Sequence, residues 1–179
     1  MALSKAVLPI GLAALVSVSL FGCALPAQVD AMIPAAIPNA KHQSGTVSIS
    51  VTGGTKTNPM VRSHISDEDF LAALSESIRK TSLFDSIVHD HSTYQLNVQL
   101  IDVSVPTGAA MTATIVSEWQ LIRQRDSTTV LDEFITSKFT ATLSDAFGGI
   151  TRQRLAQEGA ARESISEGIK RLAQAELPL

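Results

Sequence analysis

Cys23 is the only cysteine in 179 residues. One thiol forms no intramolecular disulfide and by itself builds no metal site. Charge is also scarce. Asp, Glu, Lys and Arg make up 17% of the chain, with a net charge of -3. There is no basic surplus to neutralise phosphates, so no nucleic-acid partner is expected. Aromatic residues reach only 4%: six Phe, Trp119 and Tyr94. No Gly-x-Ser-x-Gly elbow occurs. Gly53-Gly54-Thr55-Lys56-Thr57 lacks the spacing of a phosphate loop, and Pro59 stands where such a loop would lead into a helix. What is plentiful is apolar. Hydrophobic residues make up 45%, enough for the core of one ordinary domain.

The N-terminus concentrates that apolar character. After Lys5 the stretch Ala6 to Leu20 carries no charge and is mostly Ala, Val and Leu. It is shorter than the ~20 residues of a membrane-spanning helix and fits the apolar region of a secretory signal, with the small Gly22 before a cut. The other reading is a buried or single-spanning helix.

Leu20-Phe21-Gly22-Cys23 resembles the bacterial lipobox, in which an apolar residue, a variable residue and Gly or Ala precede a cysteine. The resemblance implies cleavage before Cys23, with diacylglyceryl and N-acyl chains on that residue. Three acyl chains exceed the two signals needed for stable anchoring. Ala24 stands where Asp would imply retention in the inner membrane. Under that sorting rule the protein sits in the inner leaflet of the outer membrane, facing the periplasm. The bland alternative is a chance cysteine near an ordinary secretory site.

The chain divides into a signal peptide (1–22), a lipidated Cys with a Pro/Ala-rich tether (23–45) and a periplasmic domain (46–179). Pro26, Pro34 and Pro38 mark the tether. Fully extended, it would reach at most ~70 Å. Its apolar residues Met32, Ile33 and Ile37 carry no docking signature.

The domain opens with Thr46 to Val51, where Val47, Ile49 and Val51 share one face of a strand. Ser66 with Asp69 three residues on predicts a helix N-terminus, and Phe70, Leu71, Leu74 and Ile78 come next at helical spacing. Ile87-Val88 reads as a short strand. Tyr94 to Val103 alternates until Leu100-Ile101, where the phase change predicts a bulge. Met111 to Gln124 and Thr129 to Leu143 form a hairpin around Arg125-Asp126-Ser127. From about Thr151 to Leu177 the composition is helical, with a stripe of Ala161, Ile165, Ile169, Leu172 and Ala173. The expected fold is a two-layer α+β domain. A mostly antiparallel sheet of about four to five strands would carry two helices on one face.

Few residues nominate themselves for chemistry. Arg154, Glu158 and Arg162 lie at i, i+4, i+8 and can form a ladder of ion pairs. They read either as a solvated helix face or as a patch for a partner. His89-Asp90-His91 has no third ligand nearby, so no metal is expected. His42 falls in the tether, and His64 lies at the entry to the first helix. Nothing ranks Glu118 or Asp132 as a catalytic acid. No cofactor is expected.

Phe70 to Val88, FLAALSESIRKTSLFDSIV, resembles the run of helix, S-x-LF and short strand in small Gram-negative envelope lipoproteins. A strand-rich middle comes next, and then a terminal helix ending IKRLAQAEL. The pattern is most similar to the ABC-type transport auxiliary lipoproteins and, more loosely, to the LPS-assembly lipoprotein. It implies a lipid-tethered accessory or scaffold subunit, without catalysis, serving an envelope transport or assembly complex. The alternatives are a secreted or anchored enzyme with a dispersed site and a domain that binds lipid directly.

Overall fold

The computed structural model of the chain describes residues 24–38, 40–58 and 63–177. A short helix α1 (Val29–Met32) precedes strand β1 (Gln43–Thr52). Helix α2 (Asp67–Thr81) and strand β2 (Phe84–Ile87) succeed it. Then come β3 (Tyr94–Ser104), β4 (Met111–Arg123), β5 (Thr128–Ala141) and the long helix α3 (Gly149–Gln174).

The strands form one sheet in the order β2-β1-β3-β4-β5. β3, β4 and β5 make an antiparallel meander, while β1 runs parallel to both β2 and β3. The expected two-layer α+β architecture is present, with α1 as an additional helix. The alternation in β4 decides which face is covered: Met111, Ala113, Ile115, Ser117, Trp119 and Leu121 are buried, and the residues between them are not. On β3 the matching set is Tyr94, Leu96, Val98 and Leu100. The pairing slips between Leu100 and Asp102, which leaves Ile101 as the extra residue of a bulge.

Local chemistry sets the helix ends. Ser66 accepts from the Asp69 amide at 3.1 Å and donates to the Asp69 carboxylate at 2.7 Å. α2 ends at Ser82, which adopts φ 50° and returns its amide to the Arg79 and Ile78 carbonyls. α3 buries the predicted stripe Ala161, Ile165, Ile169, Leu172 and Ala173 against the sheet. Gly168 permits this close approach, because a Cβ there would overlap the Trp119 ring. Trp119 is itself fully buried and donates to Ser117 Oγ at 2.9 Å; Ser117 in turn meets Ser164 Oγ of α3 at 3.1 Å. The polar pairing satisfies the indole N–H in an otherwise apolar layer.

Both helices run back along the sheet, antiparallel to β1 and β3. Their N-termini therefore lie at the end where those two strands finish. The β4–β5 turn lies at the opposite end.

Candidate functional site

The segment expected to be an extended tether is packed on the domain. Ala27 and Met32 join the hydrophobic core, and Ala24 is 2% exposed. Val29, Ile33 and Ile37 pack against the same core. The physical reason lies in long-range contacts that composition does not display. Ser63 Oγ donates to the Leu25 carbonyl at 2.6 Å, and the Ala27 amide reaches the His64 carbonyl at 3.4 Å. The segment thus joins the chain leading into α2.

On its other side it meets the ladder on α3. Glu158 Oε1 accepts from the Gln28 amide at 2.8 Å and lies 3.7 Å from Arg154 Nε. Arg162 donates to the Ala31 carbonyl at 2.8 Å. The guanidinium of Arg162 rests 5.3 Å from the centroid of Phe139 on β5. Gly159 makes room for that ring, since a Cβ there would collide with it. The spacing of Arg154, Glu158 and Arg162 therefore produced one ion pair and two grips on the chain's own N-terminal segment. The face read as solvated or open to a partner is covered by residues 28–31. Glu158 is 2% exposed, and burial pushes its carboxyl above the usual value against the pull of the Gln28 amide and the two arginines.

Sequence reasoning missed Gln28, Ala31, Phe139 and Gln157. Two of the contacts use backbone groups, which carry no residue signature. Gln157 is buried beside Glu158, and its Oε1 has no hydrogen-bond partner; Arg154 Nη1 is in the same state. An Ala-Gln-Glu-Gly-Ala run inside the buried half of a long helix was the available signal.

Cys23 and the preceding Leu20, Phe21 and Gly22 lie outside the described residues. Among the described residues no helix is long and apolar enough to cross a membrane. Nor do three His, Cys, Asp or Glu residues among them converge to hold a metal ion. His89, Asp90 and His91 line an open polar hollow of about 640 Å³ with Arg123 and Arg125. Arg123 there is engaged by Asp126, at 3.0 and 2.9 Å. His42 binds the Ser82 carbonyl at 2.7 Å and Asp85 at 3.0 Å, which raises its pKa. It pins the start of β1 to β2. Glu118 and Asp132 belong to β4 and β5, Glu118 half-buried and Asp132 exposed.

No family model matches the chain, and no curated protein matches it in sequence. Likeness appears in the fold. Some 73% of this chain superposes on 84% of a Xanthomonas campestris protein of the DUF330 family, with TM-score 0.57 and 11% identity. The same share superposes on 98% of a hypothetical protein from Chlamydia trachomatis, with TM-score 0.52 and 8% identity. A minor lipoprotein from Acinetobacter baumannii aligns over 72% of this chain and 91% of its own, with TM-score 0.48 and 7% identity. The first two share the domain's fold with this chain.

Proposed function

We propose that the chain is a lipid-anchored lipoprotein of the bacterial envelope, attached through Cys23. It acts as a non-catalytic accessory or scaffold subunit of a transport or assembly complex. The observation that carries this reading is the lipobox-like Leu20-Phe21-Gly22-Cys23, joined directly to a segment locked to the domain from Leu25 onward. An anchor joined to such a segment confines the whole domain to a membrane surface, where it meets membrane-bound partners at high effective concentration. Ala24 favours the outer membrane's inner leaflet under the sorting rule its position resembles. The scaffold role fits a molecule whose charged ladder is spent on internal contacts and whose His89 and His91 lie on an open surface. Its partner is then an envelope protein, and no nucleic acid is involved.

Intact mass tests the anchor. Protein extracted from the membranes of a Gram-negative host should weigh as residues 23–179 plus three acyl chains. A Cys23→Ser variant should lose that added mass. An unmodified wild-type mass would remove the reading. Crosslinking from the anchored protein then tests the scaffold role, and capture of a transport or assembly component is the expected result.

A further inference from the structure

Apolar side chains are turned outward at one end of the domain. β5 leads into α3 through a loop that carries Leu143 and Phe147, and Ile150 stands in the first turn of the helix. Phe147 is 93% exposed, Leu143 49% and Ile150 37%. Leu25, 56% exposed, lies at the same end, bonded to Ser63 just ahead of α2. Single exposed apolar residues are ordinary on a protein surface, but a group of them at one end is not.

The loop that presents Phe147 is braced. Asp145 accepts from the Thr142 amide at 2.7 Å and from its hydroxyl at 2.8 Å. The Ala146 amide returns to the Thr142 carbonyl at 3.3 Å. Arg152, a buried residue of α3, donates to the carbonyls of Ala146 at 2.8 Å and Phe147 at 2.7 Å. A buried cation thus fixes the backbone from which an almost fully exposed phenyl ring projects.

The course of the chain says what covers this end. Cys23 is two residues from Leu25, so their Cα atoms are within ~7 Å of each other. That is close to the ~5–10 Å to which interfacial side chains sink into a bilayer. We propose that the end bearing Leu25, Leu143, Phe147 and Ile150 docks on the lipid surface that holds Cys23, with Phe147 entering the interface. This rests on the lipid-anchor reading above. Among the described residues the solvent-accessible charges at this end are chiefly acidic, Arg152 being buried: Asp67, Glu68 and Asp69 open α2, Lys56 lies 3.8 Å from Glu68, and Asp145 is in the loop. The contact is therefore apolar and suits zwitterionic lipid, with little dependence on salt.

The test uses the mature chain extracted from membranes. With Cys23 acylated, a Phe147→Cys substitution supplies the one free thiol, to be labelled with an environment-sensitive fluorophore. Arg125→Cys, in the β4–β5 turn at the far end, is the control. In phosphatidylcholine vesicles the probe at 147 should shift to the blue and be quenched several-fold by spin-labelled lipid, in low and high salt alike. The probe at 125 should show neither effect. An aqueous spectrum at 147 in protein whose mass confirms acylation overturns the docking proposal and leaves the anchor intact. If the mass shows no acyl chain, the anchor reading fails, and sedimentation with vesicles then decides. Binding reduced roughly tenfold by Phe147→Ser upholds the apolar end; no binding overturns it.

Discussion

The backbone amide of Gln28 donates to Glu158 Oε1 at 2.8 Å across a sequence separation of 130. This bond and the one from Arg162 to Ala31 hold the N-terminal segment on α3. Glu158→Ala leaves Arg154 without its ion-pair partner and the Gln28 amide without its acceptor, at a cost of about 2–3 kcal/mol. The segment should loosen, and a protease of apolar specificity should cut near Met32, which is fully buried in the native chain. A variant as resistant as wild type would show that the bond is not what holds the segment.

Glu158→Gln separates charge from geometry, because the amide oxygen can still accept from Gln28. The folded carboxyl titrates above its ordinary value, so between the two values the native state binds more protons than the unfolded state. Stability contributed by this group therefore declines as pH rises through that window. Denaturant midpoints across mildly acidic pH should fall less in Glu158→Gln than in wild type, with the segment still docked.

Gly168→Ala places a methyl group on the Trp119 ring, and Gly159→Ala places one on Phe139. Each glycine is closely overlain by its ring, so each change should cost about 1–3 kcal/mol despite alanine's better helix propensity. Gly149→Ala meets only the end of Met111, at 3.6 Å, and should be tolerated. Thermal unfolding of the three variants checks the contrast.

Ser117→Ala removes the partner of both the Trp119 indole N–H and the Ser164 hydroxyl. Leaving these unpaired in the core should cost about 1–3 kcal/mol. The pair Ser117→Ala with Ser164→Ala should be clearly non-additive, as a double-mutant cycle in urea would measure.

Asp126 accepts two bonds from Arg123 and one from the Thr128 amide, and its carboxyl is held down at about 2. A depressed carboxylate contributes stability above its unfolded value of 3.8, lost as pH falls toward about 2. Asp126→Asn should flatten the stability profile over that range and change little below it. An unchanged slope in the variant would assign acid sensitivity elsewhere.

Much of the domain was legible because its signals are local. Ser66 and Asp69 announce the start of α2 three residues apart, and the phase change at Leu100-Ile101 marks the bulge. The stripe from Ala161 to Ala173 gave the buried face of α3. Residues 24–37 were misread because prolines suggest an extended chain, whereas docking there comes from groups 37 to 131 residues away. The ladder was legible as a spacing on α3. Its occupant was not, since a backbone amide and a carbonyl look the same in every sequence. Parallel pairing of β1 with both neighbours was equally hidden, because register across a sheet leaves no trace in one strand alone.

The grip of α3 on residues 28–31 also imposes an order in time. A chain that emerges N-terminus first presents Gln28 long before Glu158 exists to receive it. Until the last helix has emerged, residues 28–31 lack the side chains that grip them. The finished fold then closes on residues 28–31, so assembly itself acts as the clock that ends the exposure of this segment.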